Sequence, residues 1–235
     1  MINSQINTED TENTNMQTLP ENLDLERKPD EQSGLHVQGH IKIFDPESGE
    51  VFIDKRNAIH YENISEALAY NLANKGKNYI YEMNFGNGGT TVNATGVITY
   101  NPANTNAQNS NLYNPTYSKI VDDTDSNNPD PSRNKMEVRH TPGQPYTDIL
   151  VTCLLDYGEP ADQSAFDNVQ DLNGDYVFDE LGLRARSTDG TEGLDSTGKL
   201  LTHVVFHPVQ KSLNRLIQID YTVRIQTLTN LSSIS

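Results

Sequence analysis

The segment Leu216–Leu228 constrains this chain more than any other. Ile217, Ile219, Tyr221, Val223 and Ile225 alternate there with Gln218, Asp220, Thr222, Arg224 and Gln226. Successive strand side chains point to opposite faces, whereas an apolar helical stripe recurs every three or four residues. So long a run in period two predicts a half-buried strand. Its apolar face belongs to a core, and its polar face meets water or another subunit.

Other segments repeat the theme. His36–Phe44 and Val51–Asp54 flank the turn-forming Asp45–Glu50 and predict a hairpin. Tyr79–Phe85, Val97–Tyr100, Tyr146–Asp156, Tyr176–Phe178 and Leu200–Phe206 are further strand candidates, with Tyr146–Asp156 apolar enough to be central and Pro208 ending the last. One helix is expected at about 63–75. Asn63 is its expected cap, Glu66 completes a capping box, Gly76 terminates it, and Ile64, Ala67, Leu68 and Leu72 form its apolar stripe. The expected fold is mainly β: an antiparallel β-sandwich-like domain over residues 35–235 with one short helix and long loops. Residues 1–34 read as an extended polar arm, too poor in apolar side chains to offset their ordering entropy alone. Residues 101–145, dense in Asn, Pro, Asp and Ser, read as a long inserted interaction loop.

Composition narrows the function. Seventeen basic against 33 acidic residues give a formal net charge of −16. Direct nucleic-acid binding is not expected, because phosphate contacts need clustered Lys and Arg. The hydrophobic fraction of 34% is low, which fits a modest core whose surface is completed by partners. No apolar run approaches the ~20 residues of a membrane span, and MINSQINTED has neither the basic nor the apolar part of a secretory signal. An aqueous, cytoplasmic setting is expected. The lone Cys153 sits in the apolar run Ile149–Leu155 and reads as a core residue.

Four constellations could carry chemistry. Asp171-Leu172-Asn173-Gly174-Asp175 opens like a calcium loop, but Tyr176 stands where a turn glycine is needed and Gly182 where a closing carboxylate is needed, so a structural turn is the better reading. Asp122, Asp123, Asp125 and Asp130 form an acidic run that reads as solvated charge. Among His36, His40, His60, His140, His203 and His207, only the last pair has suggestive spacing. On a strand its members would lie about 13 Å apart, too far to share a metal. Phe85-Gly86-Asn87-Gly88-Gly89-Thr90 is glycine-rich but lacks the following helix and Lys of a phosphate loop, and reads as a turn or bulge. No catalytic, cofactor-binding or metal-ligating residue is assigned. A hydrolase reading would rest only on abundant carboxylates.

Several phrases together resemble virion structural proteins of tailed bacteriophages, of the neck, collar or tail. They are Gly39–Ile43 with Asp54–His60, Tyr81–Gly89 ("FGNGG"), Tyr176–Leu183 ("FDELGL") and His203–Gln210. The resemblance implies a non-enzymatic subunit of the virion, assembled in the host cytoplasm, without cofactor. The first expectation is a ring-forming neck or collar protein at the head–tail junction, self-associating with cyclic symmetry and touching portal, adaptor, tail or fibre subunits. The alternative is a tail or baseplate subunit, or an adhesin-like module, contacting fibres or a host receptor through the Asn- and Tyr-bearing stretch Leu112–Tyr117.

Overall fold

Strands dominate the computed structural model, which describes residues 34–76, 78–160 and 175–228. In chain order they are β1 (Gly34–Phe44), β2 (Val51–Ile59), β3 (Ile80–Gly86), β4 (Thr90–Val92), β5 (Ile98–Tyr100), β6 (Pro115–Ile120), β7 (Lys135–His140), β8 (Tyr146–Leu155), β9 (Asp175–Ala185), β10 (Thr202–Ser212) and β11 (Ile217–Leu228). Among the described residues there is one α-helix, α1 (Tyr61–Leu72), which follows β2. Nine strands form one sheet in the order β6-β3-β9-β10-β2-β1-β11-β8-β7, and β4-β5 is a separate hairpin. Every pairing is antiparallel.

The sheet curls into two layers because its middle is thin. β10 and β2 share only the pairs Thr202↔Ile59 and His203↔Ala58. On one side lies a four-stranded half, β6-β3-β9-β10, and on the other a five-stranded half, β2-β1-β11-β8-β7. Their inner faces meet in one core. Phe85, Tyr176, Phe178 and Phe206 come from the first half; Ile41, Ile43, Val151, Cys153, Ile219 and Tyr221 come from the second. Phe178 meets Phe85 edge-on at 5.4 Å and Phe206 at 5.8 Å. Such pairs contribute about 0.5–1.5 kcal/mol beyond their area burial. The ends of the sheet also approach each other: Lys119 of β6 donates from Nζ to the Leu154 carbonyl of β8 at 2.6 Å. This is the expected β-sandwich-like fold. Cys153 is in its core, where burial pushes the thiol up to about 12.

β11 has the register its alternation demands. Ile217, Ile219, Tyr221 and Val223 are buried, while Gln218, Asp220, Thr222, Arg224 and Gln226 remain half-exposed. It lies between β1 and β8 as one of the longest strands of the sheet. β8, expected to be central, sits one strand from the edge, next to β7.

Several boundaries differ from the sequence expectation. The helix begins at Tyr61, and His60 rather than Asn63 caps it, with Nδ1 accepting the Asn63 N–H at 3.3 Å. A histidine ring can fill the role usually given to Ser, Thr, Asp or Asn. Asn63 instead faces inward, and its side chain donates to the carbonyls of Leu200 and Gln108. Glu66 pairs with Lys199 rather than closing a capping box. Ile64 and Ala67 are buried, but Leu72 is 88% exposed, so the apolar stripe packs for only part of its length.

The stretch 101–145 is not one loop, since it contains β6 and β7. β9 and β10 run far beyond Tyr176–Phe178 and Leu200–Phe206, and β10 continues through Pro208. The register jumps there: Val205 pairs with Glu180, whereas Val209 pairs with Phe178, leaving Phe206–Pro208 as a bulge. A bulge needs no ladder N–H from Pro208, and it resets the inward phase of both strands. The core takes Tyr176 and Phe178 and then Leu181 and Leu183 from β9; from β10 it takes Val204 and Phe206 and then Val209. The arm at residues 1–33 and the calcium-like positions 171–174 lie outside the described residues.

Candidate functional site

The phase slip in β9 falls at Asp179-Glu180 and frees both carboxylates from the core face. Gly86 of β3 pairs with Glu180, so the turn after β3 passes directly over them. Asp179 Oδ1 accepts the Gly89 N–H at 2.8 Å, and Oδ2 accepts the Thr90 N–H at 2.8 Å and the Thr90 hydroxyl. Glu180 Oε1 accepts the N–H groups of Gly88 at 3.1 Å and Asn114 at 2.8 Å. Its Oε2 accepts the Tyr113 N–H at 2.9 Å and His203 Nε2–H at 3.0 Å. Glu180 and His203 are wholly buried.

These contacts fix the His203 tautomer. His203 Nδ1 accepts the Asn104 N–H at 2.7 Å, so its proton resides on Nε2 and points at Glu180. Burial raises the Glu180 carboxyl, but His203 and the Asn114 and Tyr113 amides outweigh it and hold the group below its ordinary value. Asp179 goes the other way: burial dominates and its carboxyl is pushed up despite Thr90 and Gly89. The glycines make the approach possible. A Cβ on Gly86 would lie 2.5 Å from Glu180 Oε1, one on Gly88 2.7 Å from the Tyr113 Cβ, and one on Gly182 2.4 Å from the Thr202 carbonyl. The amides that could have cradled a phosphate are already bound to the protein's own carboxylates. "FGNGG" and "FDELGL" are therefore two halves of one structural clamp.

The clamp also fixes the loop between β5 and β6. His60 Nε2 donates to the Ala107 carbonyl at 2.7 Å, Asn101 donates to the Gly88 carbonyl at 2.9 Å, and Tyr113 lies against the His203 ring at 5.7 Å. Leu112 is buried and Thr116 and Tyr117 belong to β6, whereas Tyr113 is 43% exposed. The histidines do not converge. His203 is buried, whereas His207 lies in the bulge and contacts the Tyr100 hydroxyl at 3.2 Å. His40 pairs with Asp54 at 2.8 Å, His140 contacts Thr147 at 3.0 Å, and His36 is half-exposed on β1. The acidic run is more ordered than solvated charge. Asp122 accepts the N–H and hydroxyl of Thr124, Asp125 accepts the Asn127 N–H, and Asp130 binds Ser132 and Arg133. Asp123 accepts the Met136 N–H at 3.4 Å. The Asp122 and Asp125 contacts are side-chain-to-backbone turns of the type Asp favours. Among the described residues, no group of three or more His, Cys, Asp or Glu is arranged to hold a metal ion.

The second candidate surface is the outer face of the five-stranded half. Arg224 of β11 grips Asp148 of β8 with two bonds, Nε–Oδ1 at 2.7 Å and Nη2–Oδ2 at 2.8 Å, and stacks on Tyr146 at 3.9 Å. Arg224 holds the Asp148 carboxyl below the usual carboxylate range. Thr222, His40 and Arg56 lie in one cross-strand row, and with Gln38, Asp148 and Arg224 they line a shallow concavity of about 370 Å³. Two basic groups of this face are matched by carboxylates, Arg224 by Asp148 and His40 by Asp54. Compared with known protein families, with curated proteins and with solved structures, the chain matches none.

Proposed function

We propose that this protein is a non-enzymatic structural subunit that acts through its surfaces, as a ring-forming neck or collar component of a tailed-phage virion. The observation that carries the reading is the clamp. Two of the phrases on which the phage resemblance rests meet in space, and their carboxylates, histidine and glycines hold loop backbone in place. Their chemistry is that of a scaffold: His203 has donors and acceptors engaged at both nitrogens, and Glu180 accepts four hydrogen bonds. A rigid two-layer body with an extended polar sheet face suits repeated lateral contacts, in which stability is shared between subunits.

A tail, baseplate or adhesin role is the second reading. It is favoured by Tyr100 and Tyr113, which are 50% and 43% exposed on the clamp side of the molecule. Aromatic side chains of this kind suit polar recognition surfaces.

Analytical ultracentrifugation of the purified chain, with mass spectrometry and imaging of phage particles from the cells that produce it, tests the proposal. A closed oligomer, and the chain found at a head–tail junction in the particle, are expected. A stable monomer absent from particles would overturn the structural reading. The chain located at fibre tips would favour the second.

A further inference from the structure

Two surfaces without charge stand apart on a chain that is 21% charged and carries a formal net charge of −16. The first is the β4-β5 hairpin. It belongs to the stretch Gly86–Ser118, which contains no Asp, Glu, Lys or Arg. Val92 and Val97 at its tip are 63% and 56% exposed. The tip nevertheless has a fixed shape. Asn93 Oδ1 accepts the N–H groups of Thr95 at 3.0 Å and Val97 at 2.9 Å, and the Asn93 N–H donates to the Val97 carbonyl at 3.0 Å. Gly96 takes φ +81°, in the left-handed region open to glycine. A two-stranded hairpin alone is marginal in water, and this one is anchored at its base, where Asp179 holds Thr90 and the Tyr100 hydroxyl contacts His207.

The second surface is an apolar groove of about 260 Å³ between α1 and the five-stranded half. Ile64 and Leu68 of α1, Met136 and Val138 of β7 and Ile225 of β11 help to form its walls, and none of the described residues lining it is charged. Val138 is 74% exposed there. The groove and the hairpin lie at opposite ends of β3. Ile80, its first residue, lines the groove, whereas Gly86, its last, leads into the turn before β4. β10 repeats the arrangement, with Leu201 in the groove just before its start and His207 of its bulge at the hairpin. A hairpin anchored at one end of these strands cannot enter the groove of its own molecule at the other.

We propose that the β4-β5 hairpin of one copy docks in the α1–β7 groove of the next, as a heterologous contact of the ring. Self-association of so acidic a chain is opposed by like-charge repulsion, which is least where two uncharged surfaces meet. The branched side chains of Val92 and Val97 match the aliphatic walls, and the fixed turn at 93–97 leaves little to order on docking. A contact between two different surfaces repeats in one direction and ends in a ring when the rotation between subunits closes. The inference rests on the ring-forming reading and adds which surfaces make the contact.

Sedimentation of the full chain and of two charged variants, Val97→Asp on the hairpin and Val138→Asp on the groove wall, provides the test. Both positions are exposed, so the variants should keep the circular-dichroism spectrum and melting temperature of the wild type. Each alone should associate about tenfold or more weakly, because docking would bury an unpaired carboxylate. Their equimolar mixture should form dimers that neither forms alone, since the hairpin of Val138→Asp still fits the groove of Val97→Asp. Val51→Asp adds the same charge at an exposed valine outside both surfaces and should leave the oligomer unchanged. Val97→Cys mixed with Val138→Cys checks the contact without added charge: under mild oxidation the mixed disulfide should exceed either homodimer. Variants that associate like wild type, a mixture as monomeric as its components, or homodimers equal to the mixed disulfide would overturn the docking while an oligomeric wild type keeps the ring. A wild-type chain that is monomeric throughout would overturn both.

Discussion

Glu180→Gln is the sharpest perturbation of the clamp. It preserves shape, removes the charge, and replaces one acceptor oxygen with an NH₂ group. If the amide nitrogen takes the Oε2 position, it faces the Tyr113 N–H and His203 Nε2–H; if it takes the Oε1 position, it faces the Gly88 and Asn114 N–H groups. Two buried donors lose their acceptor in either orientation. His203 cannot yield by changing tautomer, because Nδ1 already accepts the Asn104 N–H. Each orphaned buried donor costs about 1–3 kcal/mol. Relief of the buried charge offsets part of this, leaving a net loss of about 3 kcal/mol. Against a typical total stability of about 5–15 kcal/mol the loss is large and measurable. Guanidinium denaturation followed by far-ultraviolet circular dichroism reads it, and hydrogen exchange at Gly88, Tyr113 and Asn114 locates it. The difference should depend on pH with a defined sign. The Glu180 carboxyl is held below its ordinary value of 4.5, so its stabilisation is present above that value and is lost as pH falls through the folded one. Wild type and variant should therefore converge in acid. A loss below about 0.5 kcal/mol, the size of an ordinary surface substitution, or unchanged protection of those three amides, would refute the clamp.

Gly88→Ala should cost about 1–3 kcal/mol by overpacking, because its Cβ would lie 2.7 Å from the Tyr113 Cβ and 2.8 Å from the Asn114 nitrogen. Gly34→Ala, with nothing within 4 Å, should be neutral in the same guanidinium titrations. Lys211 is wholly buried, and its amine donates to the carbonyls of Asp156 and Ser212. Burial pushes it down to about 8 from 10.5, so between those values the unfolded chain binds a proton that the folded chain does not. Stability should rise across that window by up to about 3 kcal/mol relative to Lys211→Met, and parallel pH profiles in denaturant titrations would contradict this. Thr222→Glu charges the half-exposed outer face of β11. It should leave the melting temperature of the isolated subunit nearly unchanged and reduce oligomer formation in sedimentation; unfolding of the subunit would show that the two faces are misassigned.

Period-two alternation was enough to identify β11, its inward residues and the mainly β class, because the pleat alone dictates which side chains share a face. The hairpin β1–β2, the core position of Cys153 and the turn nature of the glycine run were legible for similarly local reasons. The extents of β9 and β10 were not, because a bulge at Phe206–Pro208 shifts the inward phase in mid-strand and an alternation rule reads the shift as an end. His60 as helix cap, and β6 and β7 within a stretch dense in turn formers, were likewise invisible. β7 forms a local hairpin with β8 that was masked by the turn formers around it, whereas the partner strand of β6, β3, is distant in sequence, as is the Ala107 carbonyl that holds the other nitrogen of His60. The same holds for the clamp. Composition showed abundant carboxylates, but only the tertiary fold could bring Glu180 to the amides of Gly88, Tyr113 and Asn114. Alternation is written residue by residue along the chain, whereas the meeting of two charged groups depends on how a sheet curls.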